Sequence, residues 1–525
     1  MNLIPTLAAL IPFVLLFVLI VLKKIPAIKA MPLTWLITLI IALTVWKVFF
    51  IGVGASFLKA FFMTIEIMLI IFGAVLLIEV LKQKKQMGVI QNLLSSISPD
   101  ARIQAIIIAF FFGALIEGIA GFGTPAALAA PLLVSLGFAP ILAVVLSLIS
   151  NSIPVSFGAA GTPILLGLAP LNLSAIEITN ITNTTALLHS IAGFIIPIIL
   201  VYLVIANSKE RKRFSSLIKT LPFAIFSWLV FVLPYYFIAK TGSAELPSIA
   251  AGLLGLIMIS VVAHYRFLTP KKIIQFKNYI PKKISFDKVI KSIVPYIIII
   301  LLLAITRIVP LIKEKVSSVI ISATNIFNTG TSYSFLPFYT PSFYFILSVI
   351  ICLVIYKATR KDIFISLKKS FNRIKLPFIA LLFAIAFVQL LIISSNNLSG
   401  LPGIPALLAE SISSISKSAY IGISPFIGAF GAFIGGSNTV SNLLFGLLQS
   451  ETAKALGISI ILILSLQVAG GAAGNMIAVH NVIAANSVVG LKNSEGKVIR
   501  KTIWAAIIYI LILGIAGFVL MRFIT

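Results

Sequence analysis

The 525-residue chain is 60% hydrophobic and only 10% charged, with a formal net charge of +27 and a mean hydropathy of +1.17. Those values lie outside the range of soluble domains. The single cysteine, Cys352, excludes an internal disulfide.

A helix needs about 20 apolar residues to cross the bilayer core. Spans are expected near 3–22, 32–53, 57–81, 101–118, 138–158, 186–206, 217–238, 246–267, 292–311, 342–356, 377–394, 455–470 and 503–522. The fold class is therefore an all-α polytopic membrane protein of about 12–14 transmembrane helices, some broken or re-entrant. No basic residue precedes the first span and no small-residue cleavage site follows it, so it is expected to stay as a membrane helix rather than act as a signal peptide. Three parts are anticipated: an N-terminal transmembrane half at 1–216, middle helices with basic loops at 217–376, and a C-terminal transmembrane part at 377–525.

The positive charge is clustered. Of the 40 Lys and Arg, 31 fall in seven stretches, at 23–29, 82–85, 102, 209–219, 266–291, 357–375 and 492–501. Placing all seven in the cytoplasm gives a consistent path through the membrane, with the loops at 239–246 and 312–341 and both termini outside. That pattern argues against a nucleic-acid partner. A basic loop such as 271–291 suits anionic lipid headgroups.

Two segments repeat. At an offset of 318, Phe112, Gly113, Ala114, Ile116 and Gly118 fall on Phe430, Gly431, Ala432, Ile434 and Gly436. A second pair follows, Gly158-Ala159-Ala160-Gly161 and Gly471-Ala472-Ala473-Gly474, offset by 313. On the charge-derived topology the two copies enter the membrane from opposite faces. Inverted repeats with interrupted hydrophobic segments are the sequence pointer to a secondary transporter's site.

Four breaks are legible. Gly118, Gly121 and Gly123 precede Thr124-Pro125, with threonine suited to the N-cap and proline to the first helical position. The second runs from Gly158 to Thr162-Pro163, the third from Gly435-Gly436 through Ser437, Asn438 and Thr439, and the fourth from Gly470-Gly471 to Gly474-Asn475. Within lipid, non-helical backbone is tolerated only where protein or a cavity surrounds it. A helix starting there turns free N–H groups and its positive dipole end into the cavity, a seat for a small anion. Glycines also serve close helix packing, but four symmetric breaks followed by cap residues favour a site.

Few charges lie within the spans. Glu117 sits inside the first copy beside the first break, and an intramembrane carboxylate is a functional group by default, here a candidate for proton coupling. Glu66 is a second candidate, which Lys47 or Lys59 could neutralise. Arg307 is expected to reach the outer surface, and His189 and His480 could relay protons or be held by ordinary hydrogen bonds. No GxxxxGK[ST], HExxH, GxSxG or Cys–His metal cluster occurs, so neither a metal site nor a cofactor is expected. An intramembrane enzyme and a channel remain the rival classes.

Four stretches resemble the L-lactate permease family of proton-coupled carriers: ALIEGIAGFGTPAALAAPLLVSLGF at 114–138, NSIPVSFGAAGTPI at 151–164, SPFIGAFGAFIGGSNTVSNLLFGLLQ at 424–449 and GGAAGNMIAVHNVIAANSVVGL at 470–491. The resemblance implies a cell-membrane carrier that takes up L-lactate, D-lactate, glycolate or other 2-hydroxy acids with protons. A different small organic anion, or coupling to sodium, is the alternative. The chain departs from the family at Asn438 and Asn475, where members carry an aspartate and a lysine, as if a buried ion pair had been replaced by an amide pair. The expected site holds a monocarboxylate near the midplane, at helix N-termini marked by Thr124, Ser437 and Asn438 and backbone opened by Gly121, Gly123 and Gly436. Asn151, Thr162, Asn442 and Asn475 supply hydrogen bonds and a protonated Glu117 accompanies the anion.

Overall fold

The computed structural model describes residues 3–23, 25–121, 123–276, 285–492 and 494–523. Part of the basic loop at 271–291, namely 277–284, lies outside the described residues, as do both terminal residues. Twelve helices among the described residues are long and apolar enough to cross a membrane, and four shorter apolar helices accompany them. The sheet content among those residues is one antiparallel hairpin, Ile321–Ala323 against Tyr333–Phe335.

The element that carries the first repeat is Ala101–Ala120. Asp100 starts it by accepting the Arg102 N–H at 2.9 Å, and a π-helical stretch, Ile106–Phe112, lies in its middle. Every residue along it is buried. A helix that is apolar all round belongs inside a bundle rather than at its lipid face. Helix Pro247–His264 packs so closely against it that a Cβ on Gly252 would run into the Leu115 backbone and one on Gly118 into that of Ile249.

Around this inner layer the packing is reciprocal. The two longest helices, Phe50–Gln83 and Arg360–Ile393, pack along each other. Helix Ala27–Thr44 lies on Arg360–Ile393, and helix Pro341–Ile355 lies on Phe50–Gln83. Helix Leu3–Phe17 meets Ile404–Ser416, while Phe286–Ile308 meets the amphipathic Gln86–Ile97.

The span expected at 138–158 is not one helix. It divides into Pro140–Ser150, a 3-10 turn at Pro154–Phe157, and Gly158–Leu165. Pro154 has no N–H to continue a helix, and Ala159, Ala160 and Gly161 then take left-handed angles, with φ of 42°, 50° and 77°. Helix Thr124–Ser135 has 12 residues, about 18 Å of axis, too short to cross a core of about 30 Å. It packs against the helix that follows, Pro140–Ser150. Its second-repeat counterpart, Asn438–Leu456, has 19 residues, about 28 Å of axis.

The fourth expected break begins later than its glycines suggest. Helix Ile460–Gly474 runs unbroken through Gly470 and Gly471, and the chain opens only at 475–478 before Val479–Val488. Those glycines serve packing instead: a Cβ on Gly470 or Gly474 would overlap the carbonyl of Pro425 or Ala429 on helix Tyr420–Gly435. The backbones of the two helices are in direct contact.

Candidate functional site

The breaks converge. From the first half, Glu117, Gly121, Val155, Gly158, Ala159, Thr162 and Pro163 face a narrow, closed hollow of about 10 Å³, room for roughly one water molecule. From the second half, Gly436, Ser437, Asn438, Thr439 and Asn475 complete it. The chain is non-helical at each of the three turns that reach it. Gly121 has φ 58° and ψ −157°, a region open to glycine alone. The left-handed run at 159–161 forms the second turn, and Gly436 with φ 73°, followed by extended Ser437, forms the third.

Glu117 is 1% exposed and makes no ion pair among the described residues. Its Oε2 accepts from Asn151 Nδ2 at 2.9 Å. Its Oε1 lies against the turns, where a Cβ added to Gly158 would overlap it and one added to Gly121 would stand 3.5 Å away. Thus one carboxylate oxygen is held from behind and the other is turned toward the hollow. The Oδ1 of Asn151 is buried without a partner.

Opposite lies the start of helix Asn438–Leu456. Ser437 occupies the N-cap, and its hydroxyl makes no capping bond. The N–H groups of Asn438, Thr439 and Val440 have no acceptor within their own helix. Asn438 Nδ2 donates to the Val468 carbonyl at 3.1 Å, while its Oδ1 is buried and unpartnered. Asn475 Oδ1 accepts from Asn481 Nδ2 at 2.6 Å. Asn438 and Asn475 both reach the hollow, but each amide bonds elsewhere rather than to the other. Thr162 Oγ1 meets Thr439 Oγ1 at 3.5 Å across the seam between the halves.

The remaining candidates stand apart from the hollow. Gly123, not Thr124, is the N-cap of its helix, with φ 75°, and no capping bond comes from a side chain there. The Thr124 N–H is already taken by the Gly121 carbonyl at 3.0 Å, so that group is not free for an anion. Gly123 instead faces Asn481. Asn151 acts through Glu117, and Asn442 Nδ2 donates to the Pro163 carbonyl at 2.8 Å, pinning the second turn to the second half. Glu66 belongs to a different, largely apolar pocket beside the hairpin, where Oε2 accepts from Tyr333 OH at 2.7 Å; neither Lys47 nor Lys59 pairs with it. Arg307 does not reach the outer surface. It is 8% exposed and its Nε donates to Glu245 Oε1 at 2.6 Å. His189 is fully buried between Ser156 Oγ and Tyr509 OH, each at 2.7 Å, and His480 lies beside Gly436.

Sequence reasoning passed over Thr439, Val155, Ala159 and Pro163 as lining residues. It also missed the amides Gln467, Gln449 and Asn481 behind the turns. Gln467 donates to Ser441 Oγ at 3.0 Å, and Gln449 donates to Gln467 Oε1 at 2.9 Å. Their signal was present, since an uncharged amide inside a run such as ILILSLQVAGG needs a buried partner.

An all-helical multi-pass bundle whose unwound turns enclose a small polar hollow defines a membrane transporter rather than an enzyme or a soluble binding protein. A sequence model described as L-lactate permease matches residues 5–524. The chain belongs to the L-lactate permease family. A relative from Haemophilus influenzae that carries the L-lactate permease name is 34% identical over 95% of this chain and 95% of its own. The L-lactate permease of Bacillus subtilis is 27% identical over 98% and 96% of the two chains. A glycolate permease of Escherichia coli, GlcA, is 26% identical over 97% and 94%.

Proposed function

We propose that the protein carries small 2-hydroxy monocarboxylates, L-lactate and glycolate above all, across the cell membrane together with a proton. The observation that carries this reading is the pairing, in one hollow, of a buried carboxylate that has no cation partner among the described residues with the open start of helix Asn438–Leu456. A substrate carboxylate seats on the N–H groups of that helix start, where the dipole favours negative charge. The hydroxyls of Ser437, Thr162 and Thr439 and the amide of Asn475 are arranged for the 2-hydroxyl and the second carboxylate oxygen.

Two carboxylates cannot share so small a space while both are ionised. A proton on Glu117 Oε1 removes the repulsion and donates to the substrate, so one anion and one proton cross together and the cargo carries no net charge. Asn151 serves both states of Glu117. Its Nδ2 donates to Oε2, which remains an acceptor whether or not Oε1 carries the proton.

The two repeats are read as inverted, with the seven basic stretches cytoplasmic, the loops at 239–246 and 312–341 outside, and both termini outside. The reciprocal packing of helices 27–44 and 341–355 on the opposite long helices supports two related halves, which the boundaries at 216 and 376 approximate.

The deciding experiment is purified protein in liposomes with an imposed pH gradient and labelled L-lactate. Uptake that follows the proton gradient supports the reading. Uptake that ignores it and follows a sodium gradient removes the proton, and no saturable uptake of either acid removes the substrate class.

A further inference from the structure

The second turn of the hollow is backed by a stretch outside its lining. Three contacts from this stretch, 235–249, reach the turn and the 3-10 segment that leads into it. Tyr235 OH donates to the Ile153 carbonyl at 2.9 Å, and Ser248 Oγ donates to the Pro154 carbonyl at 2.7 Å. The Ala244 carbonyl lies so close to Gly161 that a Cβ there would overlap it, with the Glu245 nitrogen 3.1 Å from the same point. A run of left-handed residues does not persist without such support.

That stretch is tied to the outer helices through one buried ion pair. Glu245 and Arg307 are 4% and 8% exposed. Glu245 Oε1 accepts from Arg307 Nε at 2.6 Å, and its Oε2 accepts from Ser243 Oγ at 2.9 Å. The guanidinium also donates to the Tyr339 carbonyl and stacks over the Tyr339 ring with its carbon 3.8 Å from the centroid. Arg307 ends helix Phe286–Ile308, and Tyr339 immediately precedes helix Pro341–Ile355, which packs on Phe50–Gln83. Replacing a buried ion pair as a unit is often neutral for stability, so the fold alone does not call for this pair; fixing one arrangement among alternatives is its best-attested use.

We propose that Glu245 and Arg307 are positioning residues for transport: their ion pair presses the loop 240–246 onto Gly161 and thereby holds the 158–163 turn in the closed hollow. The inference rests on the hollow being the transport site, but its primary test needs no substrate. On a Cys352→Ala background, a reporter thiol is introduced by Val155→Cys, and its reaction with a membrane-impermeant maleimide is followed in proteoliposomes. Removing the pair as a unit with Glu245→Gln and Arg307→Met is expected to accelerate labelling about tenfold, as a shift in the population of the open state would. The melting temperature should stay near that of the parent. Exchanging the charges with Glu245→Arg and Arg307→Glu should return labelling toward the parent rate. In the same samples without the reporter, the apparent KM for L-lactate should rise more than the maximal rate falls.

Unchanged labelling in the folded double variant overturns the proposal, whatever the substrate proves to be. If the double variant does not fold, Glu245→Asp, which keeps the charge but shortens its reach, decides by the same rate. Altered labelling with no lactate transport in the parent keeps the positioning role and removes only the substrate reading.

Discussion

Glu117 and the glycine opposite it set the chemistry at the smallest scale. Because Glu117 forms no ion pair among the described residues, its only compensating groups are the Asn151 amide and a proton. Glu117→Gln keeps the shape and removes the proton carrier. Uptake driven by a pH gradient should disappear, while exchange of labelled for unlabelled lactate on the two sides persists; gradient-driven uptake at the parent rate would contradict the assignment. Gly158→Ala is expected to be harsher on rate than on folding, because its Cβ must displace the Glu117 carboxylate. A displacement of that size costs about 100-fold where positioning governs the rate, and initial uptake rates will measure it. Much of this was legible in the sequence. Glu117 stands out as a lone acid in an apolar run, and Gly121 and Gly436 as the glycines of a repeated motif. The partner of Glu117 was not: Asn151 lies 34 residues away, and only the fold brings it within 2.9 Å.

At the level of helices, the same glycine-rich motif does two unlike jobs that its letters do not distinguish. In GAAG at 158–161 the backbone leaves the helix, whereas in GAAG at 471–474 it remains helical and packs. The difference is set by neighbours. Pro154 interrupts the first helix just upstream, and the loop 240–246 supports the left-handed turn, while the second motif lies against the backbone of Tyr420–Gly435. Gly474→Val is therefore predicted to act on stability. Its side chain would overlap the Ala429 carbonyl, and overpacking of this kind costs about 1–3 kcal/mol or more. The thermal midpoint in detergent should fall accordingly, before any effect on apparent affinity is asked about. The helix start at Thr124 shows the opposite lesson. Thr-Pro is a sound capping signal, yet Gly123 takes the cap and the Thr124 N–H is spent on Gly121, because positive φ at Gly121 and Gly123 moves the boundary by one residue.

For the whole molecule, the all-helical class and a count near twelve followed from hydropathy, since lipid leaves few alternatives to a helix, although 138–158 proved divided and Ile404–Gly435 was not among the expected spans. Which helices surround which did not, because all are apolar on most faces. The inner position of 101–120 and the buttressing by 235–252 come from glycine contacts and from polar tethers between residues 82 and 94 apart in sequence. Two predictions belong here. Asn438→Asp alone should impair uptake by placing a second acid beside Glu117 in the same hollow, and Asn475→Lys together with it should recover much of the loss, with a coupling of about 1–3 kcal/mol in a double-mutant cycle. Topology is open to labelling on the Cys352→Ala background. A thiol at Thr241 should react with impermeant reagent on intact cells, and one at Lys209 only after permeabilisation; the reverse pattern would invert the whole assignment.

The glycine-lined contact between Tyr420–Gly435 and Ile460–Gly474 has a mechanical corollary. Carbonyls seated where side chains would otherwise stand leave no clearance for sliding, so these two rods must travel as one block. Relative displacement is then expected along cushions of rotatable rings, such as the one where Phe13 meets Phe387 and Phe445 and Phe17 meets Phe430. Aromatic side chains there can re-seat by turning about χ1 and χ2, letting the N-terminal helix shift past the block without prying its backbones apart.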